Sequence, residues 1–400
     1  MNNLFPLISG RIDLLIILIN QVKEIFIKFV SLGYDMDDLI YKLALTLIPG
    51  VGSVNGKSLV AYCGGVKAVF MEKKRALLKI PGIGEQTVNA LVNHNVFARA
   101  EEELAFIEKN KLSAFFYLDK EYPVRLKQCH DNPLMLFYKG TAELNVPKVV
   151  ALVGTRKATE YGRDMCRRIV EGLVEHNVLV VSGLAYGIDT WSHKAALDNN
   201  LKTVGVLGHG LDRIYPFANR SLAEKMAETG GLLCEYMSNT TPDRENFPMR
   251  NRIIAGMSDA VVVVEAGVTG GALITAEIAN SYNRDVFAVP GRIGDPHSEG
   301  CNKLIKINKA ALIQSAKDIS YLLNWDELKI QKKAIQRELF KELSPDEELI
   351  VNVLKEKGDL DIDTLLIESK ILPAKAASIL LNMEFEGVLR CLPGKVYRLI

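Results

Sequence analysis

Arg156, Arg213, Arg220, Arg250 and Arg252 each lie within three residues of a glycine, an asparagine or an aromatic side chain. That company suits phosphate. A guanidinium is always charged, and its planar fork can hold two phosphate oxygens at once. Arg156 closes the segment KVVALVGTR, in which residues 149–153 are an unbroken apolar run and Gly154 and Thr155 turn the chain before a helical pattern begins. The pattern predicts a buried parallel strand, a tight turn and a helix N-terminus. Free backbone N–H groups and the positive end of a helix dipole would make that turn an anion site. The arrangement recurs: Ser182-Gly183 follows the run 177–181, Gly208 and Gly210 follow 202–207, and glycines 267, 270 and 271 follow 259–265.

The elements that must position these residues are apolar strands of four to six residues alternating with longer helical segments. That alternation implies βαβ units and a mostly parallel, doubly wound sheet covered on both faces. Ligands of such sheets sit beyond the carboxyl ends of the strands, so the four turns would converge on one crevice. No GxGxxG follows the first strand and no GxxxxGK[ST] occurs in the chain. The reading therefore excludes a dinucleotide cofactor and a P-loop ATPase, and no cofactor is expected.

The net charge of the 400 residues is +1. Any nucleic-acid site must then be a local patch, not a global field. The six cysteines form no CxxC and the six histidines no HxxxH. Neither a metal site nor a disulfide framework is expected, and a reducing cytoplasm fits best.

Taken in order, residues 1–35 carry an apolar run, 14–19, too short to span a bilayer. They lack the basic start and small-residue cleavage site of a signal peptide. They read as an amphipathic surface helix or, by preference, as an extension upstream of a start at Met36. Residues 36–110 hold two similar phrases, LALTLIPGVGSVNGKSLVAY and RALLKIPGIGEQTVNALVNH. Each reads as helix, turn and helix, resembling the helix-hairpin-helix (SAM-like) motif, whose turn can offer N–H groups to a DNA phosphate. Glu85 in the second phrase would repel phosphate. Residues 99–115 read as a charged connecting helix, and 115–140 as an edge added to the main sheet. The Rossmann-like core is expected over 111–323, a charged linker helix over 324–343, and a winged-helix-like domain over 344–400. The last has a helix capped by Ser344 and a hairpin around Pro393-Gly394. It carries seven Lys/Arg against ten Asp/Glu, which argues against duplex binding and for a protein-interaction or packing role.

The blocks YPVRL, NPLMLFYKG, VALVGTR, VVSGLAYGID, GHGLDRIYPFANRSL, FPMRNRIIAGMSDAVVVVEA, TGGALITAEIA and VFAVPG occur in this order between residues 36 and 323. The chain thereby resembles the DprA/Smf family of bacterial DNA-processing proteins. The resemblance implies a Rossmann-like core that binds and protects incoming single-stranded DNA and delivers it to the RecA recombinase during natural transformation. It also implies a homodimer, with no catalytic residue and no membrane association.

On that resemblance the DNA-binding residues are Gly154, Thr155, Arg156, Ser182, Gly183, Arg213, Tyr215, Phe217, Asn219, Arg220, Arg250, Asn251, Arg252, Gly270, Gly271 and Lys303. Aromatics interleaved with arginines in GLDRIYPFANR suit a single strand, because bases stack on rings while guanidinium groups track phosphates. Many relatives carry a basic residue where Phe217 stands, and Arg213 or Arg220 would substitute for it. Tyr215-Pro216 also reads as a buried turn. Asn219 and Asn251 also read as N-caps, and Asp189 as a structural cap. One of Arg250 and Arg252 also reads as a clamp on the strand ends. The alternative function is a phosphoribohydrolase acting on nucleoside monophosphates, since EAGVTGGALITAE distantly resembles the signature of that enzyme class. Glu277 would then be catalytic; it reads more simply as the structural partner of a core arginine.

Overall fold

The computed structural model describes residues 36–325, 343–392 and 395–399. The expectations for residues 1–35, for nearly all of the 324–343 linker and for the hairpin tip at Pro393-Gly394 lie outside the described residues. Two compact units part between Ile319 and Ser320.

The first unit opens with six helices: α1 (Met36–Leu47), α2 (Ser53–Cys63), α3 (Val66–Met71), α4 (Lys74–Leu77), α5 (Glu85–Val92) and α6 (Phe97–Asn110). The two proline-glycine turns fall between α1 and α2 and between α4 and α5, as the repeated phrases predict. The second phrase differs in one respect: its leading helix, α4, is four residues long. Helix α6 is more than a charged connector. Its Glu103 is buried and accepts from the Ser238 N–H at 2.9 Å, while Arg99 donates to the Ser238 carbonyl at 2.7 Å.

The sheet follows: β1 (Ser113–Phe116), a helical turn α7 (Val124–Lys127), β2 (Met135–Gly140), β3 (Val149–Gly154), α8 (Glu160–Leu173), β4 (Leu179–Ser182), α9 (Ile188–Asp198) and β5 (Thr203–Val206). Then come α10 (Arg220–Thr229), β6 (Gly231–Cys234), α11 (Asn246–Met257), β7 (Ala260–Glu265), α12 (Gly271–Ser281), β8 (Asp285–Ala288), α13 (Glu299–Lys306) and β9 (Ala311–Leu312). Their order is β1-β2-β6-β5-β4-β3-β7-β8-β9. Seven strands, β6 to β9 in that order, run parallel; β1 and β2 add an antiparallel edge. The chain thus builds outward from β3 in one direction through β4, β5 and β6, then returns to lay β7 against the other side of β3. That reversal leaves a cleft between β3 and β7 at their carboxyl ends. The sequence reading omits β6, whose four residues include a glycine and resemble the end of the preceding helix.

Both sheet faces are dry. On one, Val149, Ala151, Val153, Val261 and Val263 pack beneath α11 and α12. On the other, Leu207, Met226 and Leu232 share a single apolar cluster with Leu43, Leu45, Leu59 and Leu91 of the leading helices. Each such valine, leucine or methionine side chain contributes roughly 1.5–3 kcal/mol by leaving water.

The second unit contains α14 (Pro345–Lys357), β10 (Leu360–Asp361), α15 (Ile362–Ser369), α16 (Pro373–Phe385), β11 (Leu389–Leu392) and β12 (Val396–Leu399). Its antiparallel strands lie in the order β10-β12-β11. Ser344 caps α14, accepting from the Glu347 N–H, while the Glu347 carboxylate accepts from the Ser344 N–H at 2.8 Å. None of the described helices is long and apolar enough to cross a membrane.

Candidate nucleic-acid interface

The cleft at the strand-order reversal encloses about 640 Å³. Of the residues singled out in the sequence, it gathers Gly154, Thr155, Arg156, Tyr215, Arg250, Asn251, Gly270 and Gly271 along its walls. Its floor and its lip differ in character.

The floor is occupied by the protein's own polar groups. Arg250 is buried and donates to the carbonyls of Gly183, at 2.5 Å, and Val206, which end β4 and β5. It is the clamp on strand ends that the sequence allows. Asp189 is buried beside it and accepts from the Ala185 N–H at 3.2 Å. Burial pushes the Asp189 carboxyl up, with Arg250 opposing, and pushes the Arg250 guanidinium down to about 10, with Asp189 opposing. A Cβ at Gly183 would come within 2.7 Å of both the Arg250 guanidinium and the Asp189 carboxylate, so a larger residue there would have to displace this pair.

Three expectations are corrected at this floor. Helix α11 begins at Asn246, not after Asn251, because Pro248 is tolerated in a first helical turn, where its missing N–H is not needed. Asn251 is therefore interior to the helix; it caps nothing and donates to the Gly271 carbonyl at 3.3 Å. Arg250 and Arg252 accordingly do not project at a helix start. Arg252 is buried against Glu235, whose carboxyl is pushed up by burial. The turn after β3 is also not a free anion seat. The Thr155 N–H donates to the Glu265 carbonyl at 2.8 Å. The Glu265 carboxylate accepts from the Thr159 N–H at 2.9 Å, and Thr159 itself caps α8. A buried carboxylate already sits at the positive end of that helix.

The lip is different. Gly270 precedes α12 at φ 151°; no side chain caps this helix and its first turn holds no acid. Space is open around Gly270, and the nearest neighbour to a Cβ on Gly271 is Asn251 Nδ2 at 3.8 Å. This helix start, Gly270 to Ala272, lines the crevice. Arg156 is exposed on the opposite wall, with its guanidinium 5.7 Å from the centre of the Phe247 ring. Phe247 stands 5.8 Å from Tyr215, which is 48% exposed. The Tyr215 side chain is thus not in a buried turn, although Pro216 is buried. Phe247 and the exposed Arg244 line the crevice and escape the sequence reading. The criterion applied to residues 210–222, aromatics among arginines, also selects RENFPMR, residues 244–250.

The remaining candidates lie elsewhere. Ser182 is buried and donates to the Leu152 carbonyl at 2.6 Å. Asn219 stands at the start of α10, but its side chain donates to the Leu184 carbonyl and Thr190 Oγ1, both at 2.9 Å, and does not cap. Arg213 pairs with Asp212 at 2.7 Å and Arg220 with Glu224 at 2.9 Å; Phe217 beside them is 73% exposed. Lys303 is exposed on α13. The exposed Glu277 pairs with the half-buried Lys309 at 2.6 Å, not with a core arginine, and is absent from the crevice walls.

Fold and crevice together define a Rossmann-like protein with a cationic, aromatic-edged cleft at its topological switch. A family model described as DNA recombination-mediator protein A matches residues 113–324. The chain is 43% identical over 212 residues to the DNA processing protein DprA of Streptococcus pneumoniae, covering 53% of this chain and 74% of that protein. It is 34% identical over 318 residues to protein Smf of Escherichia coli, covering 75% and 84%. The X-ray structure of the Streptococcus pneumoniae protein superposes with a TM-score of 0.61 at 37% identity, over 70% of this chain and 95% of that one. The chain belongs to the DprA/Smf family of DNA-processing proteins.

Proposed function

We propose that the crevice holds a single strand of DNA, with phosphate on the open N-terminus of α12 and on Arg156 and Arg244, and bases against Phe247 and Tyr215. The observation that carries this is the pairing, in one cleft, of an uncapped helix N-terminus with an exposed arginine on an aromatic ring. Single-strand binders combine such cationic tracks with stacking rings. Arg213, Phe217, Arg220 and Lys303 serve as outer contacts, Arg213 and Arg220 exchanging their carboxylates for phosphate. Arg250, Arg252, Ser182, Gly183, Asn219 and Asn251 support the cleft from within. The protein acts without catalysis in the cytoplasm, as a homodimer, and passes the strand to the RecA recombinase in transformation. The paired turns of residues 36–110 form helix-hairpin-helix modules, and 344–400 form an acidic winged helix suited to a protein partner.

Anisotropy of a labelled oligo-dT and a matched duplex at two salt concentrations tests the reading. Tight single-strand binding that weakens steeply with salt is expected, with weak duplex binding. Salt-independent affinity, or none, overturns it. Incubation with nucleoside monophosphates is expected to release no base. A monomeric mass in light scattering would overturn the dimer.

A further inference from the structure

Outside the crevice, Trp191 on α9 is 36% exposed, and two cations lie over its ring: Lys194 Nζ at 4.9 Å and the Arg163 guanidinium of α8 at 5.5 Å from its centre. Arg163 also donates to the Ala158 carbonyl at 3.3 Å. Among the described residues no carboxylate lies within ion-pair distance of Arg163 or Lys194, whereas Arg213, Arg220 and Lys309 each have one. Tyr186, just before α9, is half exposed.

The patch is continuous with the lip of the cleft. Gly187, between Tyr186 and α9, has φ 78°, and a Cβ there would come within 2.7 Å of Arg156 backbone atoms. The Ile188 N–H donates to the Thr155 carbonyl at 3.1 Å. The start of α9 is thus locked to the turn that carries Arg156, and Trp191 lies one helical turn beyond Gly187.

We propose that this surface extends the binding track: a single strand leaving the cleft at Arg156 stacks a base on Trp191 while Arg163 and Lys194 take the flanking phosphates. This rests on the crevice reading and adds a second contact region to it. The chemistry favours a single-stranded nucleic acid. An exposed indole offers a stacking face to any base, and two cations without carboxylate partners await an anion. A duplex buries its bases and would leave the indole unused.

The sequence contains two tryptophans, and Trp325 is 6% exposed. Quenching of the intrinsic emission by oligo-dT therefore reports on Trp191. A short oligo-dT of about six nucleotides, enough for the cleft, is compared with one roughly four times as long. The expected result is quenching by the long strand alone, with Trp191→Ala weakening the long strand about tenfold and leaving the short one unchanged. Arg163→Glu, a change on an exposed chain, should act in the same direction and guards against misfolding of the tryptophan variant. No quenching by either length, or the same quenching by both, with both variants at wild-type affinity, overturns the extension. If Arg156→Ala leaves the short strand's affinity unchanged while the long strand still quenches, the cleft reading fails and the patch stands. An acidic peptide that quenches where DNA does not would also overturn it.

Discussion

Helices α8 and α12 both begin beyond the carboxyl ends of neighbouring strands, β3 and β7, and of the two only α12 begins without a side-chain cap or an acid. At the floor, α8 begins over the buried Glu265 carboxylate and under the Thr159 cap. At the lip, α12 begins on Gly270 with neither cap nor acid. Both follow a strand and a glycine-bearing turn, and in sequence the first has the stronger motif because Arg156 stands next to it. The difference teaches that a dipole and a turn do not make an anion site until the fate of each N–H is known. The same division separates the arginines. Arg250 holds strand ends together, whereas Arg156 reaches into the opening on an aromatic ring.

If floor and lip are distinct, floor changes should alter stability and lip changes should alter binding. Arg250→Ala should have the largest effect, since it strands the buried Asp189. Loss of about 3–5 kcal/mol in chemical denaturation is expected; a fully stable variant with weakened binding would erase the distinction. Next in size is a pH effect from His193 on α9. It is buried, with Nδ1 2.7 Å from Thr203 Oγ1, and burial, aided by Arg250, pushes its pKa down from 6.5 to about 3. Below pH 6.5 the unfolded chain takes up a proton that the folded chain refuses until about pH 3. Stability should therefore be fully present above pH 6.5 and fall by on the order of a few kcal/mol as the pH drops through that window. Denaturation midpoints followed from pH 7 to 4 check this, and His193→Gln should flatten the slope.

At the lip, Arg156→Ala should weaken single-strand binding about tenfold for every sequence, with stability changed by less than about 0.5 kcal/mol. Anisotropy and denaturation on the same sample separate the two. Gly271→Asp sharpens the comparison with a smaller effect. There is room for its side chain, and the carboxylate would give α12 what Glu265 gives α8. Binding should fall a few-fold while the helix gains roughly 0.3–1 kcal/mol. Tighter binding in that variant would move the phosphate seat elsewhere.

The sheet was legible because runs such as VVALV and VVVV admit few environments other than a covered parallel strand. The cleft followed from where those runs end. What escaped depended on partners far along the chain. Glu265 meets Thr159 across 106 residues, and Arg250 meets Gly183 across 67. No local pattern separates such a clamp from a surface arginine. Phe247 was missed for a different reason. It lies in the first turn of α11, ahead of the apolar run that marks the helix in the sequence, and proline at the next position is accepted in a first helical turn.

The family match begins at residue 113, but the apolar layer does not. Leu207, Met226 and Leu232 sit beneath Leu43, Leu59 and Leu91 in one cluster. A lineage that shed the leading helices would expose that face to water and invite self-association unless several positions turned polar together. No single substitution repairs a whole face. The helices and the sheet are thus tied as heritable cargo: whichever genome keeps this sheet surface apolar must keep something to lay on it.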